Sequence, residues 1–527
     1  MNLAFSLLAG AVVALGIAAW LYWGGRHLEP SERWLRSVVV FCGYAALLCV
    51  ASGVYEAPVV SWNAARIAPL LGWMQGFPIY STATEGAIQS TMYPPFSALA
   101  YIPASAAYTP VLAILMAAII AQAYYVIPLG VACYRTSVRN GSLALVVLSF
   151  LVFWSQQSAG LWQSQSWVHA DAPALGLTLL ACVATFRYTE SESNRALCLA
   201  IAGAWLAIWT KQVAIGVLPA LALWILYVRG PRKCAAFVGW SAAAGGVLAV
   251  CMGLAFSLEG MWFNLFVIPT QVGWVGRTPF NLIRALTELL REGMIPLAVL
   301  IGGVFYSRWY TEGHEPWRDW TRRQPWLLPA LVGVVNVPIS VLGRVKEGGL
   351  ENNLSFSLYF WMAAAGMFVL SHHQVLDREG QGLTASRYKI VVGTLAVWMA
   401  LLSLPQSLRV FLTLLPPGNY SAQVTYDTIR RNPGRYYFPD YPLSHLLAEN
   451  QLFHFSAAVR DREEWAGISV SPQQMRAHIP PQFDVLCLDV ANGKPQSKIR
   501  ERHLAGYSQQ VDTLSEAGLR CYTRENY

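Results

Sequence analysis

Charge is what this chain has least of. Asp, Glu, Lys and Arg together supply 13% of its 527 residues, about half the share of an ordinary soluble domain. A soluble globular fold is therefore excluded as the main architecture. Metal-ligand spacing of Cys and His is also missing, so no zinc site is indicated. No solenoid-period repeat and no low-complexity tract interrupts the sequence. The net charge of +8 comes largely from basic residues beside apolar runs rather than from one basic tract, which gives no reason to invoke nucleic acid. The first apolar run lacks a basic leader and a small-residue cleavage site, so an uncleaved span is expected there rather than a signal peptide.

What is abundant is apolar sequence, with 55% hydrophobic residues, 21 Trp and a mean hydropathy of +0.40. A hydrocarbon core about 30 Å thick requires roughly 20 apolar residues per helix, and about twelve such stretches can be drawn. They lie near 3–23, 37–54, 108–132, 142–157, 171–186, 196–209, 212–228, 235–257, 293–307, 326–343, 354–371 and 388–404. Only helices satisfy the backbone of unbroken apolar runs in lipid. Basic residues accumulate at one set of turns, from Arg26, Arg33 and Arg36 through Arg187, Arg229 and Lys233 to Arg387 and Lys389. By the positive-inside bias those turns are cytoplasmic. Both termini, Glu56 and the tail then face outward, in a multi-pass protein of the bacterial inner membrane.

Past Leu404 the composition turns polar and rich in Gly and Pro. Strands are expected at 435–439, 483–489 and 519–523 and helices at 443–450 and 459–465, a pattern of a small α/β unit. The expected organisation is a membrane domain over 1–404, with a first outer loop over about 55–107, and an extracytoplasmic α/β domain over 405–527. Of nine cysteines, only Cys487 and Cys521 lie in the tail. In an oxidising compartment they are candidates for a disulfide. His454, Asp461 and Glu463 are taken as solvated surface. In the first loop, Trp62, Ala65, Leu70, Trp73 and Met74 recur at helical spacing, as in a helix lying on a membrane surface.

Polar residues that interrupt apolar segments on the outward side form a short set: Glu56, Asp171, Lys211, Arg277, Arg344, Lys346 and Asn352. Ionisable groups at such boundaries are functional candidates because lipid makes them costly. Asp171 also suits a helix N-cap, and Lys211 a snorkelling anchor. Gly348 and Gly349 beside Lys346 would let a ligand approach the backbone closely. Acids and bases gathered at one membrane face suit transfer from a phosphate-linked donor: a carboxylate deprotonates a hydroxyl while cations hold the departing phosphate.

The order of these motifs carries a resemblance. An acid, Glu56, opens the first large outer loop, followed by Gly76-Phe-Pro-Ile-Tyr80, Tyr93-Pro-Pro95, His169-Ala-Asp-Ala172, Thr210-Lys-Gln212 and Lys346-Glu-Gly-Gly349 with Asn352. Over roughly residues 37–404 this resembles bacterial polytopic glycosyltransferases of the GT-C superfamily, particularly the mannosyl-, arabinosyl- and aminoarabinosyl-transferase-like members. The resemblance implies an all-α polytopic enzyme that makes an inverting transfer from a polyprenyl-phosphate sugar to an envelope glycan, lipid or protein. Glu56 matches the loop acid that serves as base, and Asp171 a second acidic position that places the acceptor or, in some relatives, helps hold a divalent cation. Lys211, Arg344 and Lys346 would contact phosphate, with Tyr93, Arg277 and Asn352 also contacting substrate. Two departures stand out: a single Glu followed by Ala57 replaces the family's frequent Asp or acidic pair, and an extra span precedes the usual first helix. A secondary transporter is the competing class, but its two related halves are not visible. A surface-glycan polymerase or ligase would place its large loop later.

Overall fold

A computed structural model describes residues 2–89, 91–137, 140–275, 279–308, 316–378, 382–413, 417–490, 507–511, 514 and 517–524. Each of the twelve apolar stretches falls on helix. Among the described residues, eight helices are long and apolar enough to cross a membrane, or ten if each of two bent pairs is one span. The remaining two, Val12–Gly24 and Asn194–Ile208, are shorter.

The bends have local causes. Gly141–Gln157 turns by 107° into Ala159–Ser166 at Ser158, whose hydroxyl leaves the helical path to accept from the Leu161 N–H and to donate to Glu292 Oε2 at 2.5 Å. Leu327–Val335 bends by 41° into Val337–Arg344 where Pro338 removes a backbone donor. There Asn336 Nδ2 donates to the Val332 carbonyl (2.9 Å).

Burial orders the helices from centre to rim. The apolar window of Glu351–Asp377 is 83% buried and that of Pro231–Ala255 only 17%, so the former is the central post and the latter the rim that faces outward. Charges separate by end. Lys389–Glu32 (2.6 Å), Arg229–Glu192 (2.9 Å) and Lys233–Glu192 (2.6 Å) lie at the basic turns, whereas Glu56, Asp171, Lys211 and Asn352 gather at the other ends of the same helices.

The last long helix, Gly382–Leu412, continues past the expected end at 404 because Pro405 is accommodated within it. Beyond it come helices Ser421–Arg431, Pro442–Glu449, Ser456–Arg460 and Pro472–Ala477. Four short strands form one sheet in the order β1-β2-β4-β3. β1 (Tyr436–Tyr437) runs parallel to β2 (Val485–Asp489), while β4 (Leu519–Arg524) is antiparallel to β2 and to β3 (Tyr507–Val511). Cys487 and Cys521 are register partners in β2 and β4 and are joined by a disulfide.

Two expectations are overturned here. The helix Ser61–Met74 forms, but most of it is buried against Pro110–Thr136 and Pro442–Glu449 rather than spread on lipid. Trp62 packs edge-on against Phe455 (5.3 Å between centroids), and Trp73 and Met74 at its end are exposed. His454, Asp461 and Glu463 are not solvated surface: all are buried. They sit where the tail grips residues 83–89. The Phe455 N–H donates to the Ile88 carbonyl (2.9 Å), the Ile88 N–H to His454 Nδ1 (3.0 Å), and Gln89 Nε2 to the Phe453 carbonyl (2.7 Å). Polar residues inside a polar stretch carry no periodicity that would mark them as interior.

Burial holds the His454 imidazole neutral, with its pKa lowered to about 3, and His478 beside it acts in the same direction. A depressed histidine contributes stability that is complete above its unfolded value near 6.5 and is lost as pH falls toward 3. At pH 5.5 this is about 1.4 kcal/mol. Gln in place of His454 keeps an acceptor and a donor without titrating. The gap in unfolding midpoint between wild type and His454→Gln is therefore expected to shift in favour of the variant between pH 7.5 and 5.5. A pH-independent gap refutes the assignment.

Candidate functional site

Asp171 is the centre of the bundle face opposite the basic turns. It opens the helix Asp171–Ser191 with no exposure and, contrary to the N-cap expectation, caps nothing: the capping position is Ala170. Its carboxylate is saturated by three partners. The Lys211 ammonium bonds to Oδ1, Asn352 Nδ2 donates to Oδ2 (2.8 Å), and His169 Nδ1 lies 2.5 Å from the same oxygen. Each partner comes from a different break between helices. Lys211 follows Asn194–Ile208, Asn352 precedes Ser355–Arg378, and His169 lies in the short link after Ala159–Ser166. Burial, with Arg66 and Lys211 adding to it against the pull of Asp171, lowers the His169 pKa to about 4. The imidazole is thus neutral at physiological pH and lies against the carboxylate.

Tyr93 closes the cluster. Its ring meets His169 edge-on (4.9 Å), with Lys211 Nζ 5.8 Å and the Arg66 guanidinium 4.8 Å from its centroid. Tyr93, His169 and Arg66, together with Tyr80, Thr91 and Tyr101, line a small cleft. The Tyr101 hydroxyl donates to the His169 carbonyl (2.6 Å), and Gln212 Nε2 to the Met92 carbonyl (2.9 Å), so the wall is tied to both sides of Lys211.

Glu56 ends the helix Pro30–Glu56, half-buried, and its carboxylate has no hydrogen-bond or ion-pair partner among the described residues. One side chain links it to the Asp171 cluster. Asn63 donates to the carbonyl of Ala57 (2.8 Å) and accepts from the Val168 N–H (2.9 Å), one residue before His169. Gly53, one turn before Glu56 on the same helix face, packs on Trp162, Ser166 and Gln122.

The structure brings Tyr93, Asp171, Lys211 and Asn352 together and leaves two expected phosphate ligands elsewhere. Arg344 is engaged by Glu288 (3.2 Å), Glu351 (3.3 Å) and the Gly349 carbonyl (2.9 Å). The Lys346 ammonium bonds to the Pro269 carbonyl and lies 5.7 Å from the Trp274 ring centroid, and burial lowers its pKa. Nor do the adjoining glycines admit a ligand. A Cβ on Gly348 would stand 2.5 Å from the Trp465 ring, and one on Gly349 would meet three backbone carbonyls. Their bareness serves packing against the tail. Arg277 lies outside the described residues. The residue missed on sequence is Arg66, and its signal was available: it is the one charged side chain in Ser61–Met74.

The donor set does not make a divalent-cation site. Both oxygens of Asp171 are taken, the Lys211 ammonium occupies the place against Oδ1 that a cation would need, and no group of three or more His, Cys, Asp or Glu among the described residues is arranged to hold a metal.

No protein-family model matches the chain, and no curated protein sequence matches it. Solved structures do. The fold is similar to that of ArnT from Cupriavidus metallidurans bound to undecaprenyl phosphate, with a TM-score of 0.57 at 13% identity over 92% of this chain and 97% of that one. The apo state of the same protein gives 0.56 at 13% identity over 91% and 97%. At that identity the likeness shows the fold: this chain has the fold of ArnT over nearly its whole length.

A buried pair that loses one partner leaves an uncompensated charge, at a cost of about 3–5 kcal/mol. Asp171→Asn is expected to lower the unfolding midpoint sharply, because Lys211 then stands alone. Adding Lys211→Met should recover part of that loss. If Asp171→Asn unfolds like wild type, the pair does not have the energetic role assigned to it.

Proposed function

We propose that the chain is a glycosyltransferase of the bacterial inner membrane that moves a sugar from a polyprenyl-phosphate donor to a cell-envelope acceptor on the outer face, with inversion. The observation that carries this reading is the contrast between two acids on one face. Asp171 is buried and saturated by donors, whereas Glu56 is half-buried with its carboxylate unengaged. A general base must be free to accept a proton, and only the second acid meets that condition.

In this mechanism the Glu56 carboxylate takes the proton of an acceptor hydroxyl as its oxygen attacks the anomeric carbon from the side opposite the phosphate. The new C–O bond forms, the bond from the anomeric carbon to the phosphate oxygen breaks, and the lipid phosphate leaves with the electron pair. Arg66 above Tyr93 supplies the nearby positive charge for that phosphate. Lys211, neutralised by Asp171, shapes the wall and orients Tyr93. Asp171 thus acts by positioning. The link between Asn63, Ala57 and Val168 fixes Glu56 relative to that wall. The likeness to a structure holding undecaprenyl phosphate supports the donor class.

The test is transfer by purified protein from a polyprenyl-phosphate sugar, read as released lipid phosphate and glycosylated acceptor. Glu56→Gln is expected to lower kcat at saturating donor by about 10²–10⁴. Arg66→Gln should lower kcat/KM for the donor by roughly 10–10³. Near-wild-type turnover by Glu56→Gln rules out the proposed base.

A further inference from the structure

The surface helix that the sequence suggests at Ser61–Met74 has its counterpart further along the chain. Between Pro231–Ala255 and Pro279–Tyr306 an unbroken helical segment runs from Leu258 to Gln271. Ser257 starts it, its hydroxyl accepting from the Gly260 N–H (3.1 Å). The two sides of this segment are unlike. Leu258, Trp262 and Phe266 are 70%, 60% and 51% exposed, whereas Met261, Phe263, Leu265 and Ile268 are buried. In a regular α-helix every fourth residue drifts past the starting direction. The π-helical turn Phe263–Val267, with more residues per turn, reverses that drift. Phe266 comes back beside Trp262, and the two rings stack at 4.8 Å.

The exposed face continues surfaces that meet lipid. The segment begins just after Ala255, the end of the rim span, and leads into Pro279, the start of a span whose apolar window is only 28% buried. Leu254 on the first span and Phe280 on the second are exposed as well. Trp73 joins the same rim, its ring 5.6 Å from that of Phe256. Glu259, Thr270 and Gln271 place exposed polar groups at the two ends of the segment. An apolar aromatic face with polar ends suits the headgroup level of a bilayer. The buried face holds other parts of the chain. Asn264 Nδ2 donates to the Ser81 carbonyl (2.6 Å), and its Oδ1 accepts from the Thr91 hydroxyl (3.4 Å). A Cβ on Gly260 would stand 2.7 Å from the Tyr80 carbonyl, and the Tyr80 hydroxyl donates to the Tyr93 carbonyl (2.7 Å).

We propose that Leu258–Gln271 is an interfacial anchor whose partner is the lipid surface. Leu258, Trp262 and Phe266 insert between headgroups and acyl chains on the bundle face opposite the basic turns, and the buried side holds Tyr80, Ser81 and Thr91 at a fixed depth from the bilayer. Continuity with exposed spans at both ends is what selects lipid over a second copy of the chain as the occupant. The anchor goes beyond the transferase reading and does not depend on it.

The experiment is spin-label accessibility on the full chain in vesicles of phosphatidylethanolamine and phosphatidylglycerol, in a Cys198→Ala, Cys234→Ala, Cys251→Ala background. Labels are introduced through Trp262→Cys or Phe266→Cys. Leu254→Cys on the neighbouring span and Gln473→Cys, exposed on the tail, serve as references. Labels at 262 and 266 are expected to favour oxygen over a water-soluble nickel chelate several-fold more than the label at 473, as the label at 254 does. Accessibility like that at 473 overturns the proposal. Exclusion of both reagents, with dipolar broadening that vanishes on dilution with unlabelled chain, names a second copy as the occupant and also overturns it. The link to the buried side is read from a label at Glu85→Cys. Its mobility is expected to rise with Trp262→Glu plus Phe266→Glu, and with Asn264→Leu. A label at 85 that is indifferent to both changes refutes the fixed depth. If the double Glu variant does not fold, Trp262→Ser plus Phe266→Ser is read in its place with the same outcomes.

Discussion

A carboxylate with no access to water has to be neutralised, and at Asp171 this requirement organises the bundle face opposite the basic turns. Lys211, Asn352 and His169 arrive from three separate interruptions in the helical bundle to satisfy two oxygens. Because the charge is fully compensated, the helix ends that carry these residues are held in one relative arrangement, and Tyr93 rests against the result. The cleft with Arg66 at its edge is a consequence of that arrangement. The unengaged carboxylate of Glu56 is referred to it through Asn63 and through the packing of Gly53 on Trp162 and Ser166.

The tail is the second organising feature. It covers residues 83–89 through backbone and side-chain bonds at Ile88, Gln89 and Ala83. Trp465 also reaches the loops at Gly273 and Gly348, where the Gly273 N–H donates to its carbonyl (3.1 Å). Loop and tail share one hydrophobic core containing Ala65, Ile88, Phe455 and Leu486.

How much of this was legible varied with the physical signal. Asp171, Lys211, Asn352 and Tyr93 stand out because each interrupts or borders an apolar run, and the cost of placing polarity there demands a partner. The same logic names Arg344 and Lys346 but cannot say that Glu288, Glu351 and the Pro269 carbonyl already hold them, since those contacts cross from other helices. Arg66 was marked by its isolation in an apolar helix and passed over among ordinary loop cations. Strand β3 had no pattern to announce it, whereas the helix expected over 459–465 is found as Ser456–Arg460 continued by the π-helical turn Asp461–Trp465.

The amino-acid sequence alone determines that the chain is a helical membrane protein, where its apolar helices lie and which of their ends carry ionisable side chains, because hydropathy and backbone satisfaction in lipid are local properties read over about 20 residues. Tertiary structure alone decides which charges cancel and which stay free. Asp171 and Lys211 are 40 residues apart and Gln89 and Phe453 are 364 apart, and pairing across such separations is set by how helices and tail pack, not by any neighbourhood in the chain.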